Sequence, residues 1–434
     1  MTAAERVSQL QEKLYFKAKN ERDFRFYILY DKMFIPYMLS EAYRQVKAKD
    51  GSAGVDGQDF KDIETQGLDK FLKDLGEDLR KKTYHPSPVK RVWIEKANGG
   101  KRPLGIPTIR DRVAQTVCKM LIEPIFEADF EDCSYGFRPN RSSKEAMGAI
   151  KKHLQEGKTE VLDADLSSYF DTIPHDKLQI ALKQRITDPR ILHLINLWLK
   201  SPVIEDGEYK GGKKQKTGTP QGGVISPLLA NIYMHLVDKI VNDTRKLFYQ
   251  TGVKIVRYAD DFVLMGKTIP DEVVEKLKTI LSRMGLTLNE EKTRMVQASE
   301  TAFKFLGFTI RYDRDLKGRD KRYWNIIPSE KSEKKIRQKI NDILHSCGHY
   351  GPTELKKVLN ARIRGWLNYY EVPGVSYPAM SKRRLRYYLY ERLNRYYNRK
   401  SQRRSRLYGH QAFELLVNKY GLIDPIKYRT ESSI

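Results

Sequence analysis

Two adjacent acidic residues, Asp260 and Asp261, interrupt an apolar stretch that runs from Lys254 to Met265. The flanking runs are rich in Val, Ile, Phe and Leu, so each predicts a buried strand and the acidic pair falls at the tip or edge of a hairpin. Neighbouring carboxylates repel each other and lose hydration there, a penalty that a divalent cation would remove. Hard oxygen ligands suit Mg²⁺, which keeps room for substrate phosphates. A solvated Asp-Asp turn is the alternative interpretation.

A second acidic stretch, Glu160 to Asp171, strengthens the cation hypothesis. It begins with the two-residue alternation of a strand, which puts Asp163 and Asp165 on one face. If this strand lies beside the hairpin, one of these carboxylates meets Asp260. Carboxylates from two strands could then hold two cations about 3.5–4 Å apart, the spacing used for in-line displacement at phosphorus.

Composition indicates the class of partner. The chain has 434 residues, 80 Lys plus Arg and 55 Asp plus Glu, which gives a net charge of +25 and favours a polyanion such as nucleic acid. At roughly 150 residues each, about three domains fit. No apolar run approaches about 18 residues and no signal peptide is evident, so we expect no membrane partner. The three widely spaced cysteines predict a reducing, cytoplasmic location.

The N-terminal third combines helices with a basic hairpin. Residues 1–49 predict helices with a break at Pro36, followed by a glycine loop from Gly51 to Gly57. Two strands around a glycine turn, residues 91–107, carry basic side chains suited to gripping a triphosphate, although a solvated hairpin is the alternative. An amphipathic helix is predicted over residues 111–127.

The remaining elements alternate between helices and short apolar strands. Helices are predicted over residues 174–185, 189–199, 271–284, 329–346 and 354–370, with a buried helix after the glycine-rich stretch 217–227. Residues 305–308 predict an apolar strand. From Lys382 to Arg406 the chain is basic with interleaved Tyr, and Leu385, Leu389, Leu393 and Tyr396 are expected to dock, which leaves the arginines for phosphate.

Several motifs occur in one order that resembles group II intron reverse transcriptases. They are Gly51-x-x-Gly54-Val55-Asp56-Gly57, Ser134–Pro139, Asp165-x-x-x-x-Phe170, Pro220-Gln221-Gly222, Tyr258-Ala259-Asp260-Asp261 and Gly365–Tyr370. The resemblance covers roughly residues 24–400. It implies an α+β right-hand polymerase fold with helical fingers, an antiparallel-sheet palm and a helical thumb, or maturase, domain. The implied ranges are 1–158 for the fingers, 159–325 for the palm, 326–400 for the thumb and 401–434 for a short basic tail.

The same resemblance implies a set of site residues. Asp165, Asp260 and Asp261 are the expected catalytic residues and, together with Leu166, the site of two Mg²⁺ ions, with Mn²⁺ as a substitute; Asp163 is expected to be structural. Nucleotide contacts are expected from Lys96, Arg102, Arg112, Phe170, Gln221 and Lys292. Primer, template or RNA contacts are expected from Phe305, Leu306, Gly307, Arg383, Arg384, Arg392 and Arg395.

The implied activity is RNA-directed DNA synthesis, in which a primer 3′-hydroxyl attacks a dNTP on an RNA template. Expected partners are the RNA template, a DNA primer, dNTPs and a group II intron RNA whose splicing and retrohoming the chain assists. Two alternatives stay open: a splicing maturase in which polymerization is secondary, and a host-adopted enzyme of repair or phage defence. Ser226-Pro227 disfavours gene-diversifying retroelements, which usually carry Ser-Gln there. Residues 401–434 hold one His and no Cys, so no Cys/His-rich endonuclease is expected.

Overall fold

The computed structural model describes residues 1–95, 100–212, 214–220, 222–315, 321–399 and 407–429. Helices are mixed with antiparallel hairpins, in agreement with the predicted α+β class. The chain divides into two compact units, residues 1–142 with 162–294 and residues 143–161 with 295–434. Within the described ranges, no helix is both long and apolar enough to cross a membrane.

The first unit opens with helices α1 (Ala3–Asn20), α2 (Pro36–Ala48), α3 (Phe60–Gln66) and α4 (Leu68–Lys81). The expectation that Pro36 separates two helices was wrong. Pro36 lies in the first turn of α2, where the missing N–H would have had no helical partner. Within residues 21–35 the helical part is a 3₁₀ turn at Tyr30–Lys32, and Phe26 forms an isolated parallel bridge with Ile186, so the predicted helix there does not form.

A basic hairpin and the helix after it follow the prediction. Strands β1 (Val89–Glu95) and β2 (Lys101–Ile106) pair in antiparallel register, and the turn between them lies outside the described residues. Helix α5 (Ile109–Glu127) is buried on nearly every face, so it forms the centre of the apolar core of this unit. Helix α6 (Ser143–Gln155) belongs to the second unit.

The middle of the chain contributes the strands that carry the acidic residues. The elements in order are β3 (Glu160–Ala164), α7 (Tyr169–Thr172), α8 (His175–Lys183), α9 (Pro189–Leu199), β4 (Val203–Glu205), β5 (Glu208–Lys210), α10 (Ser226–Asn242), α11 (Leu247–Gln250), β6 (Lys254–Tyr258), β7 (Asp261–Gly266), α12 (Asp271–Arg283) and β8 (Arg294–Gln297). One sheet has the order β2-β1-β4-β5 and another the order β6-β7-β3-β8. The two acidic strands β3 and β7 are therefore direct neighbours.

The second unit combines α6 with a small sheet and four helices. Its remaining elements are β9 (Phe303–Phe305), β10 (Phe308–Arg314), β11 (Arg322–Pro328), α13 (Glu330–Ser346), α14 (Pro352–Tyr370), α15 (Ala379–Arg399) and α16 (Ala412–Tyr420). The sheet order is β11-β10-β9. Helix α16 buries Phe413 and Leu416, so part of the segment expected to be a tail is a packed helix. On α15 the buried aromatic residue is Tyr397, not the predicted Tyr396.

A buried ion pair lies inside the first unit. Arg257 of β6 and Asp238 of α10 are both fully buried, and Arg257 Nη2 lies 2.5 Å from Asp238 Oδ2. The Nε atom donates a second bond of 2.8 Å to the same carboxylate, and Nη2 also donates to Ser134 Oγ at 2.7 Å. The two opposite charges neutralise each other inside the core, and their direct contacts join β6 to α10.

We expect Asp238→Ala to lower the free energy of unfolding by about 3–5 kcal/mol, because it leaves the Arg257 charge buried and unpaired. Chemical denaturation with two spectroscopic probes measures this directly. Glu275→Ala is the matched control, since it breaks an exposed pair with Lys278 and should change stability by less than about 1 kcal/mol. Equal losses in the two variants would contradict the assignment.

Candidate active site

The acidic pair lies where β6 turns into β7, in agreement with the prediction of a hairpin tip or edge: Asp260 is in the turn and Asp261 is the first residue of β7. Tyr258 pairs with Asp261, so Ala259 and Asp260 form a two-residue turn. Ala259 has a φ of +60°, a conformation that costs energy for any residue with a Cβ atom. Asp260 is half-buried, whereas Asp261 is exposed.

The strained turn is held by hydrogen bonds from beneath. Arg257 Nη1 donates to the Ala259 carbonyl at 2.9 Å and to Asn231 Oδ1 at 3.0 Å. Asn231 Nδ2 in turn donates 2.7 Å to the Gly136 carbonyl. A Cβ atom at Gly136 would lie 2.5 Å from the Ala259 nitrogen, so only glycine permits this approach. The motif Ser134–Pro139 therefore supports the acidic turn directly.

The second acidic position, Asp165, lies just beyond β3 and is held by the segment after α12. The Asn289 nitrogen donates 2.8 Å to the Asp165 carbonyl, and Lys292 Nζ lies 2.7 Å from Asp165 Oδ2. This ion pair raises the pKa of Lys292. The predicted residue Lys292 is thus placed beside a predicted catalytic carboxylate.

The carboxylates act on one another electrostatically. Desolvation raises the pKa of Asp260, as does the charge of Asp165, while Arg102 opposes the shift. The pKa of Asp261 is raised to about 6, by desolvation and by the charges of Asp260, Asp165 and Asp163. Asp261 is exposed at the surface of the unit, so the like charges of its neighbours contribute strongly to this shift in pKa. Negative charge is therefore concentrated at the tip of β7 and the end of β3.

The donor set has the chemistry of a hard-cation site. Every side-chain donor at this position is a carboxylate oxygen, the ligand type that Mg²⁺ prefers. Within the ranges that the structure describes, no three His, Cys, Asp or Glu side chains converge closely enough to form a complete metal cluster. Lys292 instead supplies a positive charge to Asp165. Asp163 lies 3.8 Å from Arg294, which offsets part of its charge.

The other predicted nucleotide-contact residues have different surroundings. Arg102 lies on β2 and its charge reaches Asp260, whereas Arg112 is buried and donates to the carbonyls of Pro107 and Ser52. Phe170 is half-buried in α7. Lys96 and Gln221 lie outside the described residues. Leu166, which was assigned to the metal site, is buried and forms an isolated antiparallel bridge with Leu288.

The predicted primer-contact segment of the second unit is a turn, not a continuous strand. Leu306 and Gly307 have φ values of +48° and +80° and form a tight turn between β9 and β10. Such two-residue turns require positive φ at both positions. Tyr369 Oη donates 3.0 Å to the Leu306 carbonyl, and a Cβ atom at Gly307 would lie 2.6 Å from Tyr370 Oη. Phe305 ends β9 and is buried.

The predicted RNA-contact arginines of α15 are not equivalent. Arg383, Arg384 and Arg395 are exposed; Arg384 lies 3.5 Å from Glu333 and Arg395 lies 3.9 Å from Glu391. Arg392 is half-buried and donates to Asn341 Oδ1. Three of the four side chains are therefore accessible to an external polyanion, and the fourth is partly committed within the unit.

Sequence reasoning missed the residues that support the site. Arg257, Asp238 and Asn231 come from β6 and α10, and their mutual contacts hold the acidic turn. One signal was available: an arginine inside an otherwise apolar strand needs a buried partner. The partner itself, 19 residues away, could not be identified from spacing.

Comparisons with known proteins identify the family. Residues 94–310 match the reverse transcriptase (RNA-dependent DNA polymerase) family, and residues 333–412 match the group II intron maturase-specific domain. The chain is 34% identical over 362 residues to protein YkfC of Escherichia coli K12, which covers 75% of this chain and 93% of YkfC.

A second relative carries the intron connection in its name. The group II intron-encoded protein LtrA of Lactococcus lactis subsp. cremoris is 33% identical over 304 residues, covering 56% of this chain and 50% of LtrA. The chain therefore spans about half the length of LtrA. These matches confirm the predicted family: the chain belongs to the reverse transcriptases, the RNA-directed DNA polymerases, and carries the maturase-specific domain of group II intron proteins.

Proposed function

We propose that Asp165, Asp260 and Asp261 form the polymerase centre of this reverse transcriptase, where a primer 3′-hydroxyl attacks the α-phosphate of a dNTP. The observation that carries this proposal is the position of the carboxylates at the ends of the neighbouring strands β3 and β7, where desolvation and the charges of Asp260 and Asp165 raise the pKa of Asp261 to about 6. Unneutralised carboxylates on adjacent strands are costly, and a polymerase uses that arrangement for cations.

The protein residues supply a negatively charged, hard-oxygen surface. Asp260 and Asp165 lie close enough to influence each other, and Asp261 adds a third carboxylate from the first position of β7. Two Mg²⁺ ions, for which Mn²⁺ can substitute, would be held by these three carboxylates with Leu166 beside them. When bound, divalent cations supply activation of the hydroxyl and neutralisation of the triphosphate.

Basic residues near the carboxylates are proposed to bind the triphosphate. Arg102 is supported by its electrostatic effect on Asp260, and Lys292 by its contact with Asp165. A triphosphate at this site would offer Lys292 a new anionic partner. Phe170 is proposed to lie beneath the nucleotide sugar, where a ring would clash with a 2′-hydroxyl. The proposed contacts of Lys96, Gln221 and Arg112 stay predictions.

The proposed architecture is that of a right-hand polymerase. We assign the fingers to residues 1–158, the palm to 159–325, the thumb or maturase domain to 326–400 and a short basic segment to 401–434. The buried α10 and the hairpin of β6 and β7 support the palm assignment, because together they hold the acidic turn. The turn at Leu306 and Gly307 is proposed to contact the primer.

The second unit is proposed to recognise structured intron RNA. Its α15 presents Arg383, Arg384 and Arg395 to solvent, and the maturase-specific match covers this helix. Phosphate contacts supply affinity for RNA, whereas shape and exposed bases supply specificity. Splicing assistance and retrohoming of the cognate intron follow from this binding.

We expect Asp165→Asn and Asp260→Asn each to lower the rate of cDNA synthesis by about a hundred- to a thousandfold, the usual effect of removing one electrostatic contact at a reacting centre. RNA binding should be nearly unchanged. Primer extension and filter binding on one preparation measure both quantities, and Asp342→Asn, at an exposed position of α13, is the control. Robust extension by either variant would remove these residues from the centre.

We expect Asp261→Asn to raise the free energy of unfolding by up to about 1 kcal/mol at pH 7.5 in EDTA, an exposed-site estimate. The pKa of Asp261 is raised to about 6, so its ionisation destabilises the fold increasingly as pH rises from about 4 to about 6. Urea denaturation at pH 5 and 7.5 tests this, and the gain should shrink at pH 5. A variant no more stable than the wild type at pH 7.5 would refute the repulsion.

We expect the triple substitution of Arg383, Arg384 and Arg395 by Gln to weaken binding to the cognate intron RNA and flatten its salt dependence. Each lost phosphate contact lowers the slope of log K against log salt by about 0.7–0.9. Extension on a short generic primer–template should suffer less. The control replaces Lys267, Lys276 and Arg283 by Gln, three exposed positions in or near α12.

Competition between the cognate intron and a scrambled RNA of equal length, at near-physiological salt, completes this test. The maturase role requires a clear preference by the wild type. Equal affinity for the two RNAs would remove that role and leave a general reverse transcriptase.

A further inference from the structure

A short strap of backbone, residues 216–219, lies against the segment that follows Asp165. Pro174 and Thr217 form an antiparallel bridge, the His175 nitrogen donates 2.9 Å to the Lys216 carbonyl, and the Gly218 nitrogen donates 2.9 Å to the Ile173 carbonyl. The strap therefore pairs with residues 173–175 through backbone hydrogen bonds, in the manner of a short antiparallel strand. It also enters the glycine-rich stretch that contains Gln221.

The strap ends on the backbone of Phe170. The Thr219 nitrogen donates 2.7 Å to the Phe170 carbonyl. On the other side, Tyr169 is buried and its hydroxyl donates 2.7 Å to the Ala230 carbonyl, while the Asp171 nitrogen donates 2.8 Å to the Ser168 carbonyl. Hydrogen bonds of Tyr169, Asp171 and Thr219 therefore fix the backbone of Phe170. The position of this backbone determines where the Phe170 ring begins.

His175 is the side chain that fastens the strap. It is 5% exposed, and its Nε2 lies 2.7 Å from the Gly218 carbonyl. A carbonyl oxygen only accepts, so Nε2 carries the proton. Burial lowers the pKa of His175, which keeps the ring neutral near neutral pH.

The backbone of Gly218 is restricted by its hydrogen bonds and by its close neighbours. Its φ is +92°, and a Cβ atom there would lie 3.1 Å from the Asp171 carbonyl oxygen. Its nitrogen and its carbonyl are both used, one by Ile173 and the other by His175. His175 is thereby connected to the residue proposed to lie beneath the sugar. Its ring donates to the Gly218 carbonyl, which shares a peptide bond with the Thr219 nitrogen, and that nitrogen donates to the Phe170 carbonyl.

We propose that His175 is a positioning residue for sugar selection, which holds the strap so that Phe170 stays where it excludes a 2′-hydroxyl. This inference rests on the proposed role of Phe170. A loosened strap would let the Phe170 backbone shift by a fraction of an ångström, and a steric filter is sensitive to shifts of that size. Catalysis with dNTPs would suffer less, since the carboxylates are anchored through Arg257 and Asn289 instead.

The experiment measures kcat/KM for single incorporation of dGTP and of GTP by the full chain on one primer–template. His175→Ala is expected to lower the dGTP to GTP ratio by about five- to tenfold, the effect of one lost hydrogen bond. His175→Gln retains a donor and should restore most of the ratio. Phe170→Ala should lower the ratio further, and adding His175→Ala to it should change nothing more.

The matched control is His235→Ala. His235 is also buried, lies on α10 and packs edge-on against Phe130, outside the strap. It should alter thermal stability without changing the ratio. If His175→Ala does not fold, His175→Gln and Gly218→Ala continue the test, because an alanine at Gly218 strains the strap directly and should lower the ratio.

The outcomes separate the two proposals. If Phe170→Ala lowers the ratio and His175→Ala leaves it unchanged, the positioning role is overturned while the role of Phe170 stands. If Phe170→Ala leaves the ratio unchanged, the proposed role of Phe170 fails and the role of His175 fails with it. A ratio lowered equally by His235→Ala would show a general stability effect and would also overturn the positioning role.

Discussion

The buried pair of Arg257 and Asp238 is the interaction on which the acidic centre depends. A guanidinium with no exposure can be kept in a protein core only if its charge and its donors are all used. Arg257 divides its donors among Asp238, Ser134, Asn231 and the Ala259 carbonyl. The last contact fixes the turn that carries Asp260. One side chain thereby joins the helix α10, the Ser134–Pro139 motif and the acidic hairpin.

The acidic turn that Arg257 supports brings several charged side chains close to one another. Carboxylates at the tip of β7 and the end of β3 repel one another, and the positive charges that face them come from Lys292 and Arg102. Lys292 is supplied by the segment after α12, which also holds the Asp165 backbone. The local electrostatics therefore favour the approach of a cation or a cationic group to these carboxylates.

In the second unit some basic residues are buried in ion pairs and others are exposed to solvent. Lys382 is buried and lies 2.6 Å from Glu371, so this cation stabilises the unit itself. Farther along α15, Leu385, Leu389 and Leu393 are buried while Arg383, Arg384 and Arg395 face solvent. An amphipathic helix of this kind packs its apolar side chains against the unit and leaves its charged side chains exposed. Its long cationic surface is consistent with the maturase-specific match.

Sequence alone determined the family, the activity and the α+β class, because motif order and apolar periodicity can be read directly from the chain. It also placed the Asp260–Asp261 pair at the tip or edge of a hairpin, since the flanking runs of β-formers leave few alternatives. Only the tertiary structure decided that Pro36 begins a helix, that Leu306 and Gly307 form a turn, and that Tyr397 is the buried tyrosine of α15. The partners of Arg257, Lys292 and His175 were likewise beyond sequence reasoning, because each lies on an element whose position is set by packing and not by separation along the chain.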